Sequence, residues 1–588
     1  MTIGDFLSTT LKNNDLTTFK IFVDGNLISE QFPLMQFTTN HEINKIPKAT
    51  IVFHDGDAAQ EDFLKSNSSD FEKGKRIKIL AGYHMDEHLL FDGIITGQRI
   101  SGKATSCTYI HVECQHEVYQ LNNRNENRKF KAQSEDSLFS AILKNYPDIK
   151  LNTKVNKDFK KEIVQSNVRD WDFLVSRAER ACAFLFFNEK GKLTIQTPQM
   201  DGPKVASLKF GEDVFDFDLN SDARNQFSEV QVSAWSGSDQ SLITASTKDK
   251  IGLKIGKGSK RESDKVVGNK IFTITHSGDL SKEELQCYSD AQMLKIKLSK
   301  IKGSLKCHGR ADIKVGNIIG LSGFGEKFSG EQFFVSGVAH ILEKGNWKTH
   351  FQIGLSEKWH HEQYNIQPTP SSGFSPGING LQIGKVLKII DDPKSEHRIQ
   401  INLPATESTQ NKGIWARMAT LDAGNERGTF FRPEKGDEVI VGFINDDPNQ
   451  AIILGHLHSK KNKPPVTAEE TNAQKGFISR SELKITFDDE KKQILIQTPA
   501  GNQVLLDEEN KSLFIEDQHQ NKITLEKNGI FLESQKNIEL NAPKGKISLA
   551  AKDINIEANS NLNAKAGMNA SFEGKTQATL KGQMVMIN

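Results

Sequence analysis

The C-terminal stretch of this chain carries a regular beat of apolar pairs that few folds can accommodate. Residues two apart recur as Ile485/Phe487, Ile494/Ile496, Leu513/Ile515, Ile523/Leu525, Ile530/Leu532, Ile538/Leu540, Ile547/Leu549 and Ile554/Ile556, with a less regular pair at Val504/Leu506. Neighbouring pair centres lie roughly seven to ten residues apart, mostly near eight. A spacing of two puts both side chains on one face of a strand and the residue between them on the other. Most of the intervening residues are polar (Thr486, Thr524, Glu539, Ser548, Asn555), although Leu495, Leu505, Phe514 and Phe531 are not. The pattern predicts a stack of very short strands, each with a dry inner face and a mostly solvated outer one.

Such a strand cannot bury two side chains alone, so the units must stack to form a continuous core. A single-chain β-helix of hexapeptide repeats would have a period of six, and the calcium-binding nonapeptide motif G-G-x-G-x-D does not occur. A period near eight suits three chains wound about one axis, closed so that no lateral strand edge remains. The expected trimer core is Ile494, Ile496, Ile523, Leu525, Ile538, Leu540, Ile547, Leu549, Ile554 and Ile556. At ~4.8 Å per stacked strand, such a rod is on the order of 60 Å long. An open meander of hairpins is the alternative, disfavoured because Asn528-Gly529 is the only Asn-Gly turn signal between pairs. Beyond Ile556 the candidate inner residues shrink to Leu562, Ala564, Ala566, Ala570 and Ala578, which predicts a taper. The chain ends on Met584, Val585, Met586, Ile587 and Asn588. The open end of a prism exposes apolar side chains and unpaired backbone, so a capping protein is expected to dock on Met584 to Ile587.

With 588 residues, several domains are expected. A formal charge of +1 argues against a general nucleic-acid surface. Cys107, Cys114, Cys182, Cys287 and Cys307 show no C-x-x-C spacing, so neither a zinc ribbon nor a disulfide framework is implied. Met1 to Leu16 has no basic start and no apolar run of signal-peptide length, and no stretch approaches the ~18 apolar residues of a spanning helix. Export would therefore need a machine that reads no N-terminal signal.

The first part of the chain, residues 1–370, reads as β-rich with inserted helices. Strands are expected at Phe19 to Val23, Ala49 to His54, Arg76 to Leu80, Leu89 to Thr96, Thr108 to Cys114, Ala183 to Asn188, Lys192 to Gln196, Phe227 to Ala234, Lys270 to Thr275, Asn317 to Leu321 and Gln332 to His340. Helices are expected at Glu135 to Asn145 behind a Ser134 cap, at Trp171 to Ala181 and at Lys282 to Lys297. This mixture suits barrels with inserted helices and not a doubly wound sheet. Three segments, Gln165 to Leu174 (with Trp171 and Phe173), Asp312 to Leu321 (with Gly316) and Phe328 to His340 followed by Trp347, resemble the phage-tail hub family and its bacterial relative, the valine-glycine repeat (VgrG) spikes of type VI secretion. The resemblance implies that Trp171 and Phe173 pack a helix onto a barrel and that the Gly316 turn launches a barrel strand.

Residues 371–465 carry short alternating strands between Gly, Pro and Asp turns, as a small Greek-key barrel requires. Gly384-Lys-Val386, Asp391-Asp-Pro393, Arg398 to Pro404, Trp415-Ala-Arg417, Gly428 to Pro433, Lys435 to Phe443, Asp447-Pro448 and Ile452 to Gly455 resemble the OB-fold collar of the same family. A ligand-binding barrel would need stacking aromatics among basic residues, and only Trp415, Arg417, Phe430, Phe431 and Arg432 offer that. A structural collar is the expectation. Ser459 to Pro465 is a charged, proline-stiffened linker into the needle, residues 466–588. Leu457 to Leu483 leaves no room for an inserted enzyme, and no fused toxin is expected after the rod.

Several tempting groups read as structural. His456 and His458 share one face of an expected strand and are the only metal candidates; no metal is expected. His360-His361 beside Trp359 reads as a solvated segment. Asp391-Asp392 and Asp446-Asp447 precede prolines and read as turns. Gly256 to Lys265 lacks the phosphate-loop pattern, and Gly323-Phe-Gly325 lacks the dinucleotide one. No catalytic set and no cofactor site is expected.

Taken along the whole chain, the resemblance implies a mainly β protein: phage-tail-hub-like β-barrels, an OB-fold collar and an intertwined trimeric β-helix needle. It implies the membrane-puncturing tip spike of a contractile injection apparatus, not an enzyme. Implied partners are two further copies of the chain in a homotrimer, a tip protein resembling the PAAR-repeat family, an inner-tube (Hcp-like) protein, baseplate proteins and effectors, with a target membrane pierced transiently and no nucleic acid. Assembly in the bacterial cytoplasm and release by the apparatus follow. The spike of a phage tail or extracellular particle is the near alternative; a tail-associated peptidoglycan- or polysaccharide-degrading enzyme is the remote one.

Overall fold

The computed structural model describes residues 16–28, 32–102, 107–131, 133–159, 161–188, 191–200, 202–249, 265–268, 270–404 and 413–587. The Gly256 to Lys265 loop therefore lies outside the described residues except for Lys265. The chain divides into two units, Met1–Pro376 and Gly377–Asn588.

The first unit is built from one strand pattern used twice. In the first copy the strands run in the order Leu34–Glu42, Lys48–His54, Tyr109–Gln115, Asp86–Ser101, Arg76–Tyr83. In the second they run Val214–Ser221, Ile301–His308, Asn346–Ile353, Gly330–Glu343, Ile318–Ser322. The irregularities coincide as well. The first strand of each copy bulges after its first residue, at Met35 and at Phe215, where the register shifts between Leu34 and Gln36 and between Val214 and Asp216. The long strand bulges at Thr96 and at Ser336, each time just before a glycine, Gly97 or Gly337. A bulge adds local twist, so matched bulges give matched curvature. Each fifth strand is entered through a glycine with φ near +90°, Gly74 (φ 96) and Gly316 (φ 89), a region open to few other residues. Gly74 N donates to Ile95 O at 2.8 Å and Gly316 N donates to Val335 O at 2.9 Å. The Gly316 turn thus launches a strand, as the family resemblance implied.

The two copies join edge to edge. Gly337–Glu343 of the second pairs antiparallel with Gln36–Glu42 of the first, making one continuous sheet. One core lies under each copy. Phe37, Ile51, Phe53, Ile77, Phe91 and Val112 fill the first, and Leu305, Ile319, Phe334, Val335, Phe351 and Ile353 the second.

Insertions account for the helices. Helices Glu135–Leu143 and Asp170–Arg180 pack with strands Leu151–Lys154, Phe184–Phe187 and Leu193–Gln196 around a separate core. Ser134 caps the first helix through Ser137 N, 3.3 Å away. Trp171 and Phe173 are buried in this inserted core, not in either barrel-like core, which corrects the packing implied by the family resemblance. The second insertion, strands Glu229–Ser236, Ser241–Lys248 and Ile271–His276 under helix Lys282–Leu298, lies between the first two strands of the second copy. Helix Lys282–Leu298 begins in a capping box between Ser281 and Glu284.

A buried polar knot ties the insertions together. The Glu179 carboxylate accepts from Lys295 Nζ at 2.6 Å, Asn44 Nδ2 at 3.1 Å and His360 N at 2.8 Å. His360 Nε2 lies 2.8 Å from Asp172 Oδ1, and Lys295 Nζ sits 5.3 Å from the Trp359 ring centroid. His360 is buried, which corrects the solvated reading of this segment. The local sequence His-His-Glu-Gln hid the distant partners Asp172 and Glu179.

The seam between the two copies encloses His41 and His340, on neighbouring strands. Burial first, then the charges of His116 and Lys314, hold His41 at about 4; a hydrogen bond with the Leu90 backbone opposes this. Burial, then His41, Lys314 and His350, hold His340 at about 3, and its Nδ1 lies 3.0 Å from Thr349 Oγ1. Both folded values lie below the ordinary ~6.5, so the unfolded chain takes up protons first. Stability is complete above pH ~6.5 and declines as pH falls toward the folded values. At pH ~5 each histidine is expected to cost about 2 kcal/mol. Chemical denaturation of the wild-type chain at neutral pH and at pH ~5 checks this. His340→Gln is expected to remove about half of the difference.

The collar of the second unit is a closed five-stranded barrel in the order Gln382–Lys388, Ile399–Asn402, Ile414–Met418, Ala451–His456, Glu438–Phe443. Val386, Ile399, Ile401, Leu403, Ala416, Val439, Val441 and Ile453 fill it. Asp392 organises a turn: its carboxylate accepts from the backbone N of Lys394, Glu396 and Arg398 and pairs with the Arg398 guanidinium at 2.6 Å. Asp447 accepts from Asn449 N at 2.9 Å, another turn role.

Downstream of the collar, seven strands form one antiparallel sheet: Gln474–Ile478, Lys484–Asp488, Gln493–Gln497, Gln503–Asp507, Ser512–Glu516, Lys522–Glu526 and Gly529–Glu533. Each pairs with the next in sequence. Over residues 474–533 the chain is therefore a meander, the arrangement the scarcity of Asn-Gly had disfavoured. The hairpins close through longer turns at 489–492, 498–502, 508–511 and 517–521. Asp507 Oδ1 accepts from Asn510 N, and Asp517 Oδ1 accepts from His519 N and Asn521 N, so Asx geometry replaces the two-residue turn. Among the described residues after Glu533 no strand is formed.

Candidate functional site, the apolar face of the C-terminal sheet

The register of the meander aligns the apolar pairs into two columns. Ile485 faces Ile496, which faces Val504, then Ile515, Ile523 and Leu532. Phe487 faces Ile494, then Leu506, Leu513, Leu525 and Ile530. Alternation along each strand puts both columns on the same face of the sheet. Within one chain this face is uncovered: Ile496 is 46% exposed, Leu506 44% and Leu532 53%. An apolar patch of this extent ordinarily marks an interaction surface. Covering half-exposed aliphatic side chains at about 1 kcal/mol each is worth on the order of 10 kcal/mol per chain.

The opposite face is covered over most of its length within the chain. A line of Thr486, Leu495, Leu505, Phe514 and Thr524 is half-buried beneath longer polar side chains. Gln493 Nε2 donates to Asp507 Oδ2 at 2.8 Å, Gln503 Nε2 donates to Glu516 Oε2 at 2.9 Å, and Lys522 Nζ sits 5.9 Å from the Phe514 ring centroid. Leu495, Leu505 and Phe514, three of the four exceptions in the outer pattern, are the residues this polar roof shelters; the fourth, Phe531, is 43% exposed. Asparagines tie one turn to the next along the sheet edge. Asn502 Oδ1 accepts from Gln518 N at 3.0 Å, and Asn521 Oδ1 accepts from Gln535 N at 3.2 Å. Nothing in the apolar beat signalled these bonds; the recurrence of Asn at turn ends is the signal that could have.

Of the expected core residues, Ile494, Ile496, Ile523 and Leu525 lie in the two columns. Ile538, Leu540, Ile547, Leu549, Ile554 and Ile556 lie beyond the sheet, each at least half exposed. Met584, Val585, Met586 and Ile587 are exposed at the end of the described chain. His456 closes the last collar strand and His458 lies beyond it, both exposed, so they do not share a strand face as expected. Among the described residues no group of three or more His, Cys, Asp or Glu is placed to hold a metal. The collar aromatics do not form a stacking platform. Phe430 is 81% exposed, Phe431 stacks on Phe477 at 5.4 Å, and Arg432 donates to Ile389 O at 2.8 Å. No described helix is long and apolar enough to cross a membrane.

Comparison with known proteins adds the family. Residues 382–458, the closed barrel, match the type VI secretion system/phage-baseplate injector OB domain. The barrel is thus an OB domain of the type VI secretion and phage-baseplate injector kind. Residues 13–344 match the Alg8 N-terminal domain, and the chain belongs to that family. Curated relatives include the type VI secretion system spike protein VgrG3 of Vibrio cholerae, 27% identical over 166 residues. That match covers 24% of this chain and 15% of the relative. VgrG1b of Pseudomonas aeruginosa is 25% identical over 193 residues, covering 30% of this chain and 25% of the relative. The Vibrio cholerae actin cross-linking toxin VgrG1 is 27% identical over 184 residues, 28% of this chain and 16% of the relative. Matches to these relatives therefore span a quarter of their length or less. Among solved structures, the E. coli c3393 protein, described as a component of the type VI secretion system, aligns with TM-score 0.38 and 12% identity over 74% of this chain and 100% of that one. A chain of the Francisella PdpA-VgrG complex aligns with TM-score 0.37 and 11% identity over 90% of each.

Proposed function

We propose that this chain is the trimeric tip spike of a contractile injection apparatus of the type VI secretion kind. The observation that carries the reading is the pair of apolar columns left uncovered on a sheet whose other face is covered over most of its length by its own side chains. Three such sheets, columns inward, form a prism with a dry axis. The segment after Glu533 carries the same apolar pairs with no strand partner of its own among the described residues, and strands from two other copies would supply the pairing. Intertwining gives resistance to unfolding, because no chain leaves without unzipping the others. The VgrG spike relatives and the injector OB domain supply the setting.

In this reading the trimer core comprises Ile494, Ile496, Ile523, Leu525, Ile538, Leu540, Ile547, Leu549, Ile554 and Ile556. Met584 to Ile587 receive a small PAAR-like cap. A tube protein of the Hcp kind and baseplate proteins bind the first unit, effectors ride on the needle or cap, and the apparatus drives the whole across a target membrane. The role is mechanical, so the purified chain is expected to leave a peptidoglycan suspension turbid. Sedimentation at micromolar concentration is expected to give the mass of three chains. A well-folded single chain overturns the proposal.

A further inference from the structure

A small cavity lies beside the in-chain seam of the first unit, and we infer that it binds a short-chain carboxylic acid, taken up together with one proton. The inference does not depend on the trimeric reading above. Val338 pairs with His41 and His340 pairs with Thr39, so both histidines stand on the sheet face that carries Phe37, Leu342 and Phe351. That is the core face, where an imidazole has to find partners. The cavity has a volume of about 80 Å³, and both histidines line it. This is roughly half the ~150 Å³ void that holds a benzene ring in another protein, so it suits a molecule of a few non-hydrogen atoms. Leu90, Phe91, Phe186, Phe187, Ile313 and Val338 give it an apolar wall. An apolar chamber with a few convergent polar groups is the usual form of a small-ligand site.

The polar groups select the ligand. His340 Nδ1 lies 3.0 Å from Thr349 Oγ1, whose own hydrogen goes to Arg310 O at 3.3 Å. Nδ1 therefore donates, which leaves Nε2 as the acceptor of the neutral ring. One nitrogen of His41 bonds the Leu90 backbone in a way that favours the charged ring, so it donates to that carbonyl. The other, Nε2, is buried and has no hydrogen-bond partner. His116 is no third base, because its Nε2 lies 3.0 Å from Gly191 O and its Nδ1 accepts from Val118 N at 3.1 Å. Lys314 also lines the cavity, and its positive charge acts on both histidines, as that of His350 does on His340. The two lining carboxylates are answered by groups of their own, Glu42 by Lys45 and Asn40, and Asp92 by Arg76 and Lys78. This balance disfavours a cation, and an anion without a proton would leave His41 Nε2 unsatisfied. A carboxylic acid meets both demands. Its proton passes to His41 Nε2, the carboxylate so formed faces the imidazolium and the Lys314 charge, and its alkyl group meets the apolar wall. Counted from solution, the complex takes up one carboxylate and one proton.

The test is calorimetric titration of the full-length chain with propionate at pH ~6 and at pH ~7.5. A single site per chain is expected, with a dissociation constant on the order of 1 mM at the lower pH. Because binding carries a proton, affinity is expected to be about tenfold weaker at the higher pH. Titration in two buffers of different ionisation heat is expected to show uptake of about one proton per ligand. Propionamide has the same shape and no acid proton, and is expected to bind at least about tenfold more weakly at pH ~6. His41→Phe keeps a ring against Phe91 and removes the orphaned nitrogen. Ala311→Leu fills the cavity from a half-buried wall position without touching a histidine. Both variants are expected to lose propionate binding while circular dichroism shows them folded. Absence of saturable heat with the folded wild-type chain overturns the site, and so does binding retained by either variant. Affinity that ignores pH, or propionamide binding as tightly as propionate, overturns the uptake of a proton with the ligand.

Discussion

Ile547→Asp abolishes the SDS-resistant trimer, whereas Ser548→Asp leaves it intact: this is the expected result with the largest effect. The two positions are adjacent, and both are exposed in the single chain. Folding of one chain therefore does not distinguish them, and any difference comes from association. If Ile547 points to the shared axis, the substitution sets three carboxylates together where water is excluded. Unpaired buried charges cost several kcal/mol each, and here each is compounded by its neighbours. Ser548 would then lie on the outer face, where a carboxylate stays hydrated. Unheated samples on SDS gels, with sedimentation as the second measure, check the outcome. Equal damage from both substitutions refutes the assigned facing.

Lys295→Met is expected to destabilise the first unit by about 3–5 kcal/mol, because it removes one side of a buried pair and strands the other. Lys295 and Glu179 side chains are 5% and 3% exposed. Without the ammonium, the Glu179 carboxylate keeps only the neutral donors Asn44 Nδ2 and His360 N. The same carboxylate anchors helix Asp170–Arg180 to the turn after strand 34–42 and to the segment at His360, so the loss reaches both insertions. The thermal transition of this unit is expected to fall by roughly 4–7 °C. Adding Glu179→Gln to Lys295→Met is expected to recover about half of the loss, since the amide carbonyl still accepts while no charge is left buried. A double variant no better than the single one would show that the pair acts through shape, not charge.

Local pattern exposed much of the architecture. The strands at 17–23, 48–54, 76–83 and 109–115, the capped helix after Ser134 and the helix from Lys282 carry their own periodicity and end signals. The collar's Gly, Pro and Asp punctuation foretold a closed barrel. The strands that reveal the duplication did not stand out. Strand 34–42 is Leu-Met-Gln-Phe-Thr-Thr-Asn-His-Glu, whose polar run breaks the alternation of a half-buried strand, while strand 214–221, Val-Phe-Asp-Phe-Asp-Leu-Asn-Ser, alternates but is not among the strands expected from the sequence. Strand 34–42 is a seam paired on both sides, and strand 214–221 is an edge. The inward turn of His360 escaped notice for a related reason, since Asp172 and Glu179 lie far away in the chain.

The candidate surface was legible as a beat of apolar pairs, and that beat requires a dry face whichever way the strands connect. Connection is another matter. The first half of the array pairs with itself through Asx-stabilised turns, because Asp507 and Asp517 satisfy the turn amides that a shorter Asn-Gly hairpin would satisfy by conformation alone. Periodicity specifies which side chains must leave water, since it depends only on the backbone repeat of two. Which strand edge meets which, and that one five-stranded pattern occurs twice in matching register, emerges from hydrogen bonds between residues distant in the chain. No short-range pattern carries those bonds, because an edge amide pairs equally well with many different partner sequences.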